Sequence, residues 1–291
     1  MRQEPITACC VTVPRLNNLK RLVPKVLPYV DKFVLVLGRR DPQVEEFLSS
    51  LGPKIAMVHF PWRDNFAQSY TQYLKHVPYG WFVALDDDEV PSEDMLKSFD
   101  PLVNGADFGT NYCCIEYRAN PIYIDIEGKE HDPGPCDYYR QMLIRKTPHM
   151  HYRGGPKSGM HQYLHGHQNG RLLRRNEVYY HIKSVSDEHR NAARNFWIAS
   201  IWKHGTREGE PCPEWEELRR IVAEEYPTVE AFMDLDDILI KGNVSQRLKD
   251  WMINTYNNHR NNPLMNEGKA VCSYYYKFLH SEEAPTALKI D

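Results

Sequence analysis

An apolar run that stops abruptly at four adjacent carboxylates leaves a chain few ways to fold. Residues 81–85, Trp-Phe-Val-Ala-Leu, lead straight into Asp86, Asp87, Asp88 and Glu89, and Pro91 follows. Such a run, ended by charges and a proline, reads as a buried strand that meets solvent at its carboxyl end. In open α/β sheets that end is where ligands sit. Four acidic side chains crowded there repel one another unless something positive joins them. Hard oxygen ligands of this kind suit Mg²⁺ or Mn²⁺, ions that commonly hold a phosphate-bearing substrate as well. The plainer alternative is a solvated acidic turn capping a helix, with Ser92 as N-cap and Glu93 and Asp94 in its first turn. That explains Glu93 and Asp94 but not three aspartates at the strand end.

The chain before this stretch alternates strand and helix patterns. Ile6–Val13, Phe33–Leu37 and Ile55–Phe60 read as strands. Between them Leu19, Leu22, Val23, Val26 and Leu27 share one helical face, and Val44, Phe47, Leu48 and Leu51 mark a shorter helix. Phe66, Tyr70, Leu74 and Val77 then feed the Trp81 strand. This rhythm implies a doubly wound, mostly parallel, Rossmann-like α/β sheet. No strand is followed by Gly-x-Gly-x-x-Gly or Gly-Lys-Ser/Thr, so a bound nucleotide must be held by metal and side chains.

The second half is less regular. Strands are expected at Phe108–Tyr117, Arg140–Arg145 and Val178–Ile182, and a helix capped by Ser186 that ends near Gly205. Residues 140–175 hold eight Lys or Arg, five His and no carboxylate. From Glu208 to Asp237 the balance inverts, with eleven acidic residues against two basic, and Trp215, Leu218 and Val222 give an apolar stripe. The expected division is a nucleotide-binding catalytic domain over residues 1–204 and a helical carboxyl-terminal extension over residues 205–291. Net charge is −3, which names no partner. The seven cysteines lack the spacing of a metal site or disulfide framework, and no run is long enough to span a bilayer. With the polar start Met1–Pro5, which lacks a signal-peptide pattern, a reducing, cytoplasmic setting is expected.

These residues also carry a family resemblance. Ile6-Thr-Ala-Cys-Cys-Val-Thr-Val, Asn18-Leu-Lys-Arg-Leu and Tyr29-Val-Asp-Lys-Phe-Val-Leu-Val resemble the opening of glycosyltransferase family 2, which has the GT-A fold. Trp62-Arg-Asp-Asn-Phe-Ala-Gln-Ser and Gly80-Trp-Phe-Val-Ala-Leu-Asp-Asp-Asp-Glu resemble the segment that leads to the family's Asp-x-Asp metal motif. Tyr152-Arg-Gly-Gly, Met160-His161, Tyr180-His181 and Arg190-Asn191 are similar to a subgroup with diverse acceptors. The resemblance covers roughly the first 200 residues.

It implies a metal-dependent glycosyltransferase with a nucleotide-diphosphate sugar as donor and a saccharide, lipid, protein or modified nucleobase as acceptor. Asp86 and Asp88 would be the two aspartates of the motif, and His181 the late histidine that completes the Mn²⁺ or Mg²⁺ site. Thr12, Pro14 and Arg15 would touch the nucleoside, and Asp64 would approach the base. Among the basic residues Arg145, Lys146, Arg153 and Lys157, Arg153 is the best candidate for the diphosphate, because Gly154-Gly155 lets backbone approach a ligand closely. Gln162 follows His161 where the subgroup often has Glu, so an inverting transfer must draw its general base from His161 or Asp137. A retaining mechanism needs no such base and stays open. Two rival classes share these residues. One is a phage-type DNA glycosyltransferase that uses the basic stretch with Tyr139, Tyr152 and Tyr163 as stacking surfaces. The other is a GT-A domain that binds nucleotide sugar or glycan without turnover.

Overall fold

The apolar runs of the amino-terminal half assemble into one sheet. The computed structural model describes residues 4–61, 66–105, 112–125, 128–155, 158–166, 171–184, 213–228 and 244–259. The chain divides into two compact units. The first comprises Met1–Trp62, Ala67–Arg153 and Tyr163–Lys183; the second comprises Arg63–Phe66, Gly154–Gln162 and Ser184–Asp291.

In the first unit β1 (Ile6–Thr12), β2 (Lys32–Leu37), β3 (Ile55–His59) and β4 (Trp81–Asp86) run parallel in the order β3-β2-β1-β4. The crossovers carry α1 (Leu16–Val26), α2 (Pro42–Ser50) and α3 (Phe66–Leu74). Parallel strands need such helical crossovers, which cover the sheet and leave its central strands apolar throughout. β1 shows this: Ile6, Ala8, Cys9 and Cys10 are all fully buried, and the adjacent cysteines are unpaired thiols packed as small hydrophobes. Leu19, Leu22, Val23 and Val26 form the buried face of α1. Burying each of these side chains contributes roughly 1.5–3 kcal/mol. Asp41 is the N-cap of α2, accepting from the backbone N–H of Gln43 and Val44 at 3.0 and 3.1 Å.

Because β2 and β3 are added on one side of β1 and β4 on the other, the strand order reverses between β1 and β4. The crevice outside the carboxyl ends of those two strands is therefore the expected ligand position in a sheet of this kind.

Beyond β4 the sheet continues with antiparallel strands. The three-residue β5 (Glu89–Pro91) leads into α4 (Glu93–Asn104), which Ser92 caps by accepting from Met95 N–H at 3.2 Å. β6 (Tyr112–Ile124), β7 (Glu130–His131), β8 (Tyr139–Arg145) and β11 (Arg171–Ser184) extend the sheet in the order β4-β8-β6-β11-β5, with β7 on β6. β9 (His151–Gly155) and β10 (Ser158–His165) form a separate pair. Only two residues separate β4 from β5, a span of at most about 11 Å. Yet β5 is reached through β8, β6 and β11, so the sheet curls until its last strand returns beside the fourth.

The expected α/β sheet is thus present; several of its elements differ from expectation in length, and β5, β7, β9 and β10 have no counterpart among the expected strands. β11 has 14 residues where Val178–Ile182 was legible as strand. β6 ends at Ile124 rather than Tyr117. The helix expected from Ser186 lies outside the described residues. In the second unit α5 (Pro213–Glu225) and α6 (Gln246–His259) are described. Leu218, Ile221, Val222, Leu248, Trp251 and Met252 are their buried residues. Arg247 reaches three carboxylates of α5, at 2.9 Å from Glu217, 3.8 Å from Glu225 and paired with Glu224. Part of the acidic excess there is internally balanced. None of the described helices is long and apolar enough to cross a membrane.

Gly80 sets the entry to β4. Its φ is +81°, and a Cβ would stand 2.5 Å from the Pro5 carbonyl oxygen, which accepts from Trp81 N–H at 2.9 Å. We predict that Gly80→Ala lowers unfolding stability by about 1–3 kcal/mol through strain and the clash. An unchanged urea midpoint would contradict this.

Candidate functional site

The pairing of β1 with β4 brings two chain segments to the crevice. Val11 pairs with Asp86, so the residues that follow, Thr12 and Asp87, stand side by side at the carboxyl edge of the sheet. Thr12 Oγ1 donates to Asp87 Oδ2 at 2.5 Å. Arg15 forks onto the same carboxylate, Nε to Oδ2 at 2.9 Å and a terminal nitrogen to Oδ1. Asp87 is only 2% exposed. Burial pushes its carboxyl up to about 6 even though Arg15 and Thr12 pull the other way.

A second segment arrives antiparallel. β8 pairs with β4 as Trp81 with Arg145, Phe82 with Ile144 and Val83 with Leu143. The same register carried forward sets Arg140 beside Asp86. Arg140 donates to Asp86 Oδ2 at 2.9 Å and also pairs with Glu89. Glu89 accepts from the Asp86 backbone N–H at 2.9 Å, closing the turn between β4 and β5. Glu89 is 2% exposed, and burial raises its carboxyl to about 7 although Arg140 opposes the rise. Tyr70 of α3 donates its hydroxyl to the other Asp86 oxygen. Burial, then Asp86, raises that phenol well above its ordinary value, so it acts as a neutral donor. Tyr70 is wedged edge-on against Tyr73 and Tyr152, at ring distances of 5.7 and 5.3 Å, and Tyr73 O–H bonds Tyr152 Oη at 2.6 Å.

The third segment is β11. It pairs antiparallel with β5, His181 opposite Glu89, and Ile182 N–H donates to the Asp88 carbonyl at 2.8 Å. That places His181 Nε2 3.8 Å from Asp88 Oδ2, with Arg15 3.7 Å from the same oxygen. At 3.8 Å the His181–Asp88 approach is a charge contact rather than a hydrogen bond. Burial pushes the Asp88 carboxyl up, but His181 and Arg15 more than offset it and hold the group below its ordinary value. Burial pushes His181 down, and Asp88 with Glu89 more than reverses that. Asp88 and His181 keep side-chain exposures of 15% and 31%, so both are reachable.

The repulsion among four carboxylates is relieved from within the chain, by Arg15 on Asp87 and by Arg140 on Asp86 and Glu89. A divalent ion is not needed to hold the strand end together. Among the described residues no three of His, Cys, Asp and Glu converge closely enough to hold a metal. Asp88 and His181 face one another as a hard oxygen and an imidazole, two donors of the kinds a divalent ion would take.

The other expected site residues are dispersed. Pro14 is buried after β1. Arg153 is exposed on β9, where Nε donates to His151 Nε2 at 3.1 Å. Asp137, with its side chain 95% exposed, pairs with Arg118 at 3.0 Å. The His161 side chain and the whole of Asp64 lie outside the described residues, as does Lys157. Arg145 and Lys146 stand at the amino end of β4, away from the carboxylates. Arg140 and Tyr70 were not legible as site residues. The only available signal for Arg140 was its place five residues before the end of an antiparallel neighbour of β4.

No protein-family model matches the chain, and no curated protein matches it either. Among solved structures it is similar to GalNAc-T7 with UDP, GalNAc and Mn²⁺, at 13% identity and a TM-score of 0.41, covering 62% of this chain and 43% of that one. The chain thus spans less than half the length of that protein. It is also similar to 4-diphosphocytidyl-2C-methyl-D-erythritol synthase, at 9% identity and a TM-score of 0.34, covering 49% of this chain and 76% of that one.

Arg140 gives this site a sharp test. Arg140→Met leaves Glu89 buried without its cation, a loss of about 3–5 kcal/mol where Glu89 is ionised. Protonated Glu89 needs no counter-charge. Burial sets the Glu89 carboxyl at about 7 with Arg140 in place, and losing Arg140 pushes it higher, so the loss should be larger at pH 8 than at pH 5. Denaturant titrations of both proteins at the two pH values measure it; a pH-independent difference would contradict the pairing.

Proposed function

We propose that this chain is a transferase that binds a nucleoside-diphosphate sugar at the carboxyl ends of β1 and β4 and moves the sugar to an acceptor hydroxyl. One observation carries the reading. Arg15 from the end of β1, Asp86–Asp88 from the end of β4 and His181 from β11 meet where the strand order reverses.

In this reading Asp88 and His181 hold a Mn²⁺ or Mg²⁺ ion together with the donor's diphosphate. Such an ion offsets the negative charge that grows on the leaving phosphates as the glycosidic bond loosens. Arg15 adds to that effect from the protein side. Its fork is fixed on Asp87, and the guanidinium keeps 32% of its side-chain surface toward solvent, with a geometry suited to phosphate. Asp87 is then a positioning residue that aims Arg15, rather than a ligand. Asp86, fixed by Tyr70 and Arg140, borders the same crevice and is the aspartate available to the donor's ribose or to the ion. An inverting transfer also requires a base at the acceptor hydroxyl, and His161 and Asp137 are the candidates for it.

The basic stretch lends less to nucleic-acid binding than its composition suggests. Arg140, Arg145, Arg174 and Arg175 each pair with a carboxylate: Arg145 with Glu4, Arg174 with Glu116 and Arg175 with Glu177. Half of its eight Lys and Arg are thereby drawn into ion pairs.

The reading is tested by thermal unfolding with a panel of nucleoside diphosphates, with and without Mn²⁺. At a hundred times its dissociation constant a ligand stabilises the native state by about 2.7 kcal/mol. One diphosphate should raise the midpoint more with Mn²⁺ than without. Asp88→Asn, measured against its own unliganded midpoint, should lose the Mn²⁺-dependent part. A panel in which no nucleotide stabilises the protein would defeat the proposal.

A further inference from the structure

The opposite end of β4 opens on a separate cleft. The cleft, of about 570 Å³, is lined by Glu4, Tyr79, Arg145, Lys146, Thr147 and His149, with Gly80 and Gly166 in its walls. β4 is six residues long, so the cleft lies about 16 Å from the carboxylates and belongs to no part of the site described above.

Its frame is held by backbone. Lys146 N–H donates to the Gly80 carbonyl at 2.8 Å, and Thr147 Oγ1 donates to the Gly166 carbonyl at 2.5 Å. Gly166 has a φ of +82°, and a Cβ on it would stand 2.5 Å from the His149 carbonyl oxygen, so this wall closes on its neighbour as only glycine permits. Such a frame is formed before any ligand arrives.

Its charge is cationic. Arg145 is matched by Glu4 at 2.6 Å, which leaves Lys146 as the surplus. Among the described residues no carboxylate lies within ion-pair reach of Lys146. An ammonium has three donors, and the neighbouring Thr147 carbonyl takes one at 2.8 Å. Partial burial lowers the Lys146 ammonium below its ordinary value, the cost of desolvating a cation without an anion beside it. His149 adds a second nitrogen-bearing group. On the rim Tyr79 is 62% exposed, more than any other large hydrophobic side chain among the described residues. An exposed aromatic face beside a cation matches a ring that carries an anion.

We propose that this cleft binds an anionic sugar, its phosphate or carboxylate at Lys146 and His149 and its ring against Tyr79.

The test is calorimetric titration of the full chain with glucose 6-phosphate, with glucuronate and with glucose. Saturable binding of either anionic sugar, with none by glucose over the same range, is the expected result. Lys146→Met keeps the aliphatic stem and should weaken that binding about tenfold or more, as loss of a charged contact does. Tyr79→Ala should weaken the sugar anion while leaving inorganic phosphate unchanged. Asp88→Asn should bind the sugar like the parent protein, and Lys146→Met should keep any stabilisation by nucleoside diphosphate with Mn²⁺. The two sites can thus fail separately. Absence of saturable binding by both anionic sugars, equal binding of glucose, or undiminished binding in Lys146→Met would each overturn the proposal.

Discussion

Four carboxylates at the end of one buried strand are the constraint to which the rest of this structure answers. Within about 4 Å two like charges repel by several kcal/mol in a partly buried site. The fold meets this with two arginines delivered from different strands. Arg15 follows β1, the parallel neighbour of β4, and Arg140 opens β8, its antiparallel neighbour. Each takes the carboxylate that its register presents. The two most buried acids, Asp87 and Glu89, are both so paired, Asp86 shares Arg140 with Glu89, and Asp88 faces His181 with Arg15 3.7 Å away. The site is therefore divided by burial into a structural half and an open half.

The curl of the sheet is what makes the open half possible. Without β11 returning along β5, His181 would sit on a distant edge, nearly a hundred residues down the chain. The short β5 does two tasks: Glu89 ties the turn to Asp86 N–H, and its backbone positions β11. Charge and topology are thus one argument, since β5 is short because the acidic turn and Ser92 bound it on both sides.

Much of this was legible in the residues. The parallel sheet followed from apolar runs alternating with helical stripes, and all four amino-terminal strands lie within a residue or two of where those runs place them. Asp88 and His181 were readable as a pair because a family resemblance joined them; spacing alone does not. Arg140 was hidden for a physical reason. It looked like one cation in a basic stretch, and only the antiparallel register with β4 reveals its partner. The charge of that stretch is likewise smaller in space than along the chain, because the carboxylates that pair with Arg145, Arg174 and Arg175 lie outside residues 140–175.

The central claim is that Asp88 and His181 share one divalent ion with a nucleoside diphosphate. Pulsed electron paramagnetic resonance of Mn²⁺ bound to the protein with a nucleoside diphosphate reads the ion's neighbours directly. The account predicts a ¹⁴N coupling from one imidazole together with ³¹P coupling, the nitrogen signal vanishing in His181→Ala while the phosphorus signal persists. A spectrum with phosphorus coupling but no nitrogen coupling, or a nitrogen signal that survives in His181→Ala, would contradict it.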